Sequence, residues 1–166
     1  MNMLQNSDVR LDFVDHQFNN WTALHWACFG SDDKMCTECV EILVNDSRCN
    51  SDLVNSKNIK GDTPISHAVF KGNYEAVKIL SSYPGINMNS KENVGNSLIT
   101  IAETQCGKRF ADKSKIQRTA DILSLLREKQ QYKTKHHDYR IRFSSQNPRK
   151  QDGYSRNCYN IWRRKN

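Results

Sequence analysis

The chain repeats one arrangement of apolar and polar residues three times. Each copy opens on a hydroxyl residue, at Thr22, Thr63 and Ser97, which are 41 and 34 residues apart. A short stretch rich in Ala, Leu and Ile follows, and a second apolar run comes later, at 39–44, 76–80 and 120–126. A Thr or Ser hydroxyl can cap a helix N-terminus, and apolar residues at helical spacing bury one helix face. The pattern therefore predicts three helix pairs and an all-α fold.

The second copy shows the boundaries of its two helices. Pro64 suits the first helical position, where no backbone N–H is needed. Gly72-Asn73 predicts the end of the first helix, and Glu75 favours the positive end of the next helix dipole. Pro84-Gly85 then predicts a turn after the second helix. We expect helix, break, helix and turn in that order.

At this point the sequence resembles the ankyrin repeat, in which Gly-x-Thr-Pro-Leu-His opens a helix pair that ends in a hairpin. The second copy keeps Gly61, Thr63, Pro64 and Ala68, and the first keeps His25. The resemblance implies a solenoid of about three helix pairs with β-hairpin-like connecting loops. It divides residues 1–127 into a half unit 1–16 and repeats 17–57, 58–91 and 92–127. Ala23 and Leu98 replace the proline of the pattern, Ser66 and Thr100 replace its histidine, and segments 31–34, 47–52 and 107–115 are insertions.

The positive charge is concentrated at the C-terminal end of the chain. The net charge is +7, but residues 127–166 hold 12 Lys and Arg against 3 Asp and Glu, whereas the remainder holds 13 against 15. This shift in composition predicts a domain boundary near residue 127. The rest of the chain, 128–166, is predicted to be a basic tail that is flexible or docked on a partner.

The resemblance also implies where a partner would bind, because ankyrin proteins use hairpin tips and first helices on their concave side. Large apolar side chains there would anchor a protein partner, although they could instead pack on neighbouring hairpins. The predicted partner-binding residues are Phe18, Asn19, Trp21, Phe29, Ile59, Lys60, Asp62, Phe70, Lys71, Asn93, Val94 and Asn96.

The tail interleaves basic and aromatic residues, which leaves three interpretations open. It could hold nucleic acid by phosphate contacts and stacking, fold on an acidic protein, or remain solvated. The segment 139–143 alternates with period two, as an added strand would. The predicted tail contacts are Tyr139, Arg140, Arg142, Phe143 and Trp162.

The sequence gives only weak indications of a metal site or a catalytic site. Cys36-x-x-Cys39 with Cys28 and His25 could suggest zinc, but no second ligand pair follows, and we expect cysteines that fill core space. Pairing of His25 with Asp32, or of His67 with Ser66, lacks a nucleophile motif. The sequence thus predicts neither a catalytic site, a metal nor a cofactor. Without a signal peptide or an apolar run long enough to span a membrane, we expect a cytoplasmic and potentially nuclear protein.

Taken together, these features predict a non-catalytic adaptor or regulatory subunit. In size and layout the chain is similar to small ankyrin-type subunits of a protein kinase complex that controls the cell cycle and DNA replication, which implies a kinase catalytic subunit as partner. The alternative is an inhibitor that masks a transcription factor, as IκB does. Nucleic-acid binding through the tail is a third hypothesis.

Overall fold

The computed structural model describes residues 10–30, 34–106 and 113–146, with side chains up to residue 131. A two-stranded antiparallel ribbon precedes the helices, with Val14 opposite Thr22 and Asp15 opposite Trp21. The elements are β1 (Val14–Asp15), β2 (Trp21–Thr22), α1 (Ala23–Phe29), α2 (Lys34–Asn45), α3 (Ser51–Val54), α4 (Pro64–Lys71), α5 (Tyr74–Ser82), α6 (Leu98–Cys106) and α7 (Lys113–Gln146).

The helices begin where the three hydroxyl residues predict. Thr22 and Thr63 are the N-caps of α1 and α4, and the Ser97 hydroxyl accepts the backbone N–H of Thr100 in α6. Gly72 ends α4 with a left-handed backbone, φ 76°, which glycine adopts without strain. Asn73 then caps α5 by accepting the backbone N–H of Ala76 at 3.0 Å. The predicted helix–break–helix order of the second unit is confirmed.

The helix pairs stack on one another in chain order. Helix α4 packs on both α1 and α6, and α5 packs on α2, so the first helices of the units form one row. Apolar side chains fill the space between the rows, and Ile122 and Leu126 of α7 join the same core. The fully buried large residues include Leu24, Val40, Ile65, Leu80, Met88 and Leu98. Burial of these side chains stabilises each unit mainly against its neighbour.

The hairpin tips of successive units are joined through main-chain atoms. The N–H of Ile59 donates to the carbonyl of Asn19 at 2.9 Å, and the N–H of Asn93 donates to the carbonyl of Lys60 at 3.1 Å. These two bonds are equivalent in the repeat, because each links one tip to the tip before it. They set the spacing of the side chains that the tips carry.

Gly61 lies at one such tip, and we expect Gly61→Ala to lower the free energy of unfolding by about 1–3 kcal/mol. Its φ is +78°, and a Cβ there would lie 2.8 Å from the backbone N of Asn93. Gly95→Ala is the matched control, since Gly95 has φ +88° but nothing within 4 Å of its Cβ position. Urea denaturation of both variants measures the difference. Equal losses would show that the approach of the two tips is not tight.

The C-terminal part of the chain is helical where the sequence pattern suggested a strand. Helix α7 runs through 139–143, so the prediction of an added strand is wrong. Alternation over five residues is too short to outweigh the helix-compatible residues on both sides of it. The chain divides into two compact units, Met1–Glu128 and Lys129–Asn166. Of the predicted tail contacts, Tyr139, Arg140, Arg142 and Phe143 lie on α7, and Trp162 lies outside the described residues.

Candidate functional site: a groove at the hairpin tips

A groove of about 630 Å³ lies along the tips of the three units and the first helices of two of them, α1 and α4. The tips supply backbone turns with exposed side chains, and Trp21 of β2 together with α1 and α4 supplies the floor. The residues that line it are Asn19, Trp21, Phe29, Asn58, Ile59, Lys60, Asp62, Ser66, His67, Phe70, Glu92, Asn93 and Val94.

Nine of the twelve predicted partner-binding residues line this single groove. Phe18, Lys71 and Asn96 are the three that do not. Phe18 packs edge-on against Trp26, with ring centroids 5.2 Å apart, and Lys71 places its ammonium 3.6 Å from the centre of the Phe29 ring. The structure thus brings most of the predicted set together, and binding by this set remains a prediction.

Trp21 forms part of the floor and is not an exposed anchor. Only 9% of its surface is exposed, so Trp21 packs within the chain, which is the alternative that the sequence left open for these apolar side chains. Its ring centroid lies 4.6 Å from that of Trp26, 4.9 Å from Phe29 and 4.5 Å from His67. Within the described residues, its indole N–H is buried without an acceptor. The contacts with α1 and α4 make Trp21 a joint between two units.

His25 fastens the first unit to the second. Its Nδ1 accepts the backbone N–H of Thr22 at 3.2 Å, and its Nε2 donates to the carbonyl of Asp62 at 3.1 Å. Burial lowers the pKa of His25, so the neutral ring that makes both bonds is favoured. Ser66 occupies the corresponding place in the second unit and bonds only within its own turn, to Thr63. Its side chain is too short to reach the next tip.

A polar cluster at the groove floor was not predicted from the sequence. The side-chain oxygen of Asn58 accepts the backbone N–H groups of Lys60 and Asp62, both at 2.9 Å, and so fixes the tip. Its amide N–H₂ group contacts His67 Nε2 at 3.3 Å and the Asp62 carboxylate at 3.1 Å. Burial lowers the pKa of His67 to about 4 and outweighs the nearby Asp62 carboxylate, which acts in the opposite direction. His67 therefore accepts from Asn58 as a neutral ring.

Sequence reasoning missed Asn58, Ser66, His67 and Glu92 as lining residues. One signal for Asn58 was available, because an Asn two residues before a turn residue often accepts that residue's backbone N–H. His67 was considered only in a catalytic pairing with Ser66, and it is buried at the groove floor. Its position facing the groove follows from the way α4 packs on α1, which no local pattern encodes.

Exposed apolar side chains form the rim of the groove. Ile59 is 59% exposed, Phe70 43% and Val94 79%. They come from two tips and the end of α4, so they surround the floor formed by Trp21 and His67. Contiguous exposed apolar surface of this kind is typical of interaction sites.

The cysteines do not form a metal site in the part of the chain that the structure describes, which holds no group of three or more His, Cys, Asp or Glu side chains placed for a metal ion. Cys28 is buried, and burial raises the pKa of its thiol. Cys39 is exposed on α2, so the expectation that it fills core space is wrong. Asp32, considered as a partner of His25, lies outside the described residues. No described helix is long and apolar enough to cross a bilayer.

A comparison with models of protein families gives a match. The family model described as ankyrin repeats (3 copies) matches residues 1–92, more than half of the chain. The matched region covers the first two predicted repeats and the half unit before them. The third unit lies beyond it and is identified from the structure, in which α6 packs on α4. Comparison with curated proteins finds no match.

Proposed function

Because the chain belongs to the ankyrin-repeat family, whose repeats are protein-interaction modules, we propose that it is a stoichiometric adaptor or regulatory subunit that grips its partner in the tip groove. The observation that carries this proposal is the convergence of three exposed apolar side chains, Ile59, Phe70 and Val94, over one buried aromatic floor. Such a rim and floor suit the apolar anchor of a protein partner.

A protein kinase catalytic chain is the partner that we propose. In size and few-repeat layout the chain is similar to Plutonium, the small ankyrin subunit of the PAN GU kinase complex, which supports a role in control of the cell cycle and DNA replication in the cytoplasm or nucleus. An IκB-like inhibitor of a transcription factor is the alternative. The two differ in what co-purifies with the chain, a kinase or a transcription factor.

We expect the double substitution Ile59→Ala plus Phe70→Ala to weaken partner binding at least tenfold, because it removes two exposed side chains of the groove rim. Affinity purification followed by mass spectrometry identifies the partner, and calorimetry with the purified partner measures the dissociation constant. Trp21 is unsuitable for this test because its loss would disturb the fold itself.

Phe13→Ala plus Ile42→Ala is the matched control. It removes one aromatic and one isoleucine side chain that are also exposed, at 66% and 47%, but lie outside the groove. The proposal is supported if this control binds the partner as tightly as the wild type does while the groove variant binds it more weakly. Equal binding by both variants would refute the groove as the binding surface.

A further inference from the structure

We propose that the distal half of helix α7, residues 129–146, binds single-stranded nucleic acid. This inference goes beyond the proposed function, because it concerns a different element and a different class of ligand. It follows from the helical state of the segment. A strand would place Tyr139 and Phe143 on one face and Arg140 and Arg142 on the other, whereas a helix distributes these positions differently.

The aromatic residues of the distal half recur at helical spacing. Successive rings are separated by four, three and four residues, at Tyr132, His136, Tyr139 and Phe143. Because a residue of an α-helix turns by about 100° and rises by about 1.5 Å, these positions form one row about 16 Å long. A row of aromatic residues along a helix is an arrangement on which successive bases can stack.

The basic residues of the distal half lie on either side of this aromatic row. The positions of Lys133 and Arg140 fall on one side of it, and those of Lys135 and Arg142 fall on the other. Asp138 is the single acidic residue of the segment, and its position is on the opposite half of the helix. The compact unit to which the segment belongs holds 11 Lys and Arg against 2 Asp and Glu, so it attracts polyanions.

The combination of rings and basic residues favours nucleic acid over other anionic partners. Phosphates contact Lys and Arg while bases stack on rings, and both residue types lie along the same half of the helix. A membrane surface or a groove on an acidic protein would instead require a row of large aliphatic or indole side chains. Ile141 is the one aliphatic residue between 132 and 146, and its position is on the opposite half. Since stacking requires unpaired bases, the ligand is a single strand.

Fluorescence polarisation of a labelled oligouridine of about 20 nucleotides with the full chain tests the inference. We expect binding that weakens as salt is added, because phosphate contacts release counterions. Tyr132→Leu plus Tyr139→Leu removes two rings but keeps large apolar residues that favour a helix. We expect this variant to bind at least tenfold more weakly, with an unchanged salt dependence. Lys133→Gln plus Arg140→Gln should reduce the slope of log affinity against log salt by about 1.4.

The controls use the opposite half of the same helix and the tip groove. Thr134→Ala plus Ile141→Ala should bind the oligouridine as the wild type does, and so should Ile59→Ala plus Phe70→Ala. Absence of binding at low salt, an unchanged affinity of the tyrosine variant, or equal weakening by the opposite-half variant would overturn the inference. Tighter binding of duplex RNA, polyglutamate or phosphatidylserine vesicles at the same salt would also overturn it. None of these outcomes bears on protein binding in the tip groove.

Discussion

Trp21→Ala is expected to lower the free energy of unfolding by about 3–5 kcal/mol, the usual cost of deleting a buried large aromatic side chain. The loss should be at the upper end of that range because the ring contacts residues of two units, Trp26 and Phe29 in one and His67 in the other. Urea denaturation followed by circular dichroism measures it, since a fluorescence signal would change with the substitution itself.

Trp21→Phe is the informative companion variant. It keeps an aromatic ring between the units and removes the buried indole N–H that has no acceptor in the described residues. The smaller ring loses packing energy, and removal of an unsatisfied buried donor offsets part of that loss. We therefore expect the free energy of unfolding to change by no more than about 1 kcal/mol. A Trp21→Ala protein as stable as the wild type would show that the ring does not join the units.

The second large effect is a dependence of stability on pH that comes from His67. Burial lowers its pKa from 6.5 to about 4 in the folded chain. Between these two values the unfolded chain binds more protons than the folded chain, so stability falls as the pH falls from about 6.5 towards 4. The full contribution is at most about 3.5 kcal/mol, because each unit of pKa difference corresponds to about 1.4 kcal/mol.

His67→Gln isolates this contribution. Glutamine can still accept the amide N–H of Asn58 through its oxygen, but it does not titrate. The free energies of unfolding of wild type and variant are compared from pH 7.5 down to pH 4 in urea. We expect the free energy of unfolding of the wild type to decrease steadily relative to that of the variant as the pH falls. Parallel pH profiles would mean that the His67 ring is protonated as easily in the folded chain as in the unfolded one.

Local signals were sufficient to predict the helix starts. Thr22, Thr63 and Ser97 each begin a helix because a hydroxyl cap and the apolar pattern after it depend only on neighbouring residues. The repeat also explains why nine predicted residues line one groove, since equivalent positions of stacked units must lie side by side.

Properties that depend on packing between units could not be predicted in the same way. Trp21 occupies a position that a regular repeat exposes, and it is buried here because Trp26, Phe29 and His67 surround it. The cluster of Asn58, Asp62 and His67 joins a tip to α4 across nine positions of sequence. The helical state of 139–143 depends on continuation of α7 from before the segment, which a five-residue window does not contain.

Because main-chain hydrogen bonds join the tips, the groove can be lengthened by inserting whole repeats. Suppose that a second copy of residues 58–91 is inserted directly after the first. The backbone N–H of its Ile59 would then donate to the Lys60 carbonyl of the first copy, which now accepts the N–H of Asn93. Main-chain atoms are common to every residue, so such an insertion needs no new side chain at the junction of the tips. A chain lengthened in this way would carry a second copy of Lys60 and Phe70. It would therefore have a second binding site for the partner along one continuous surface.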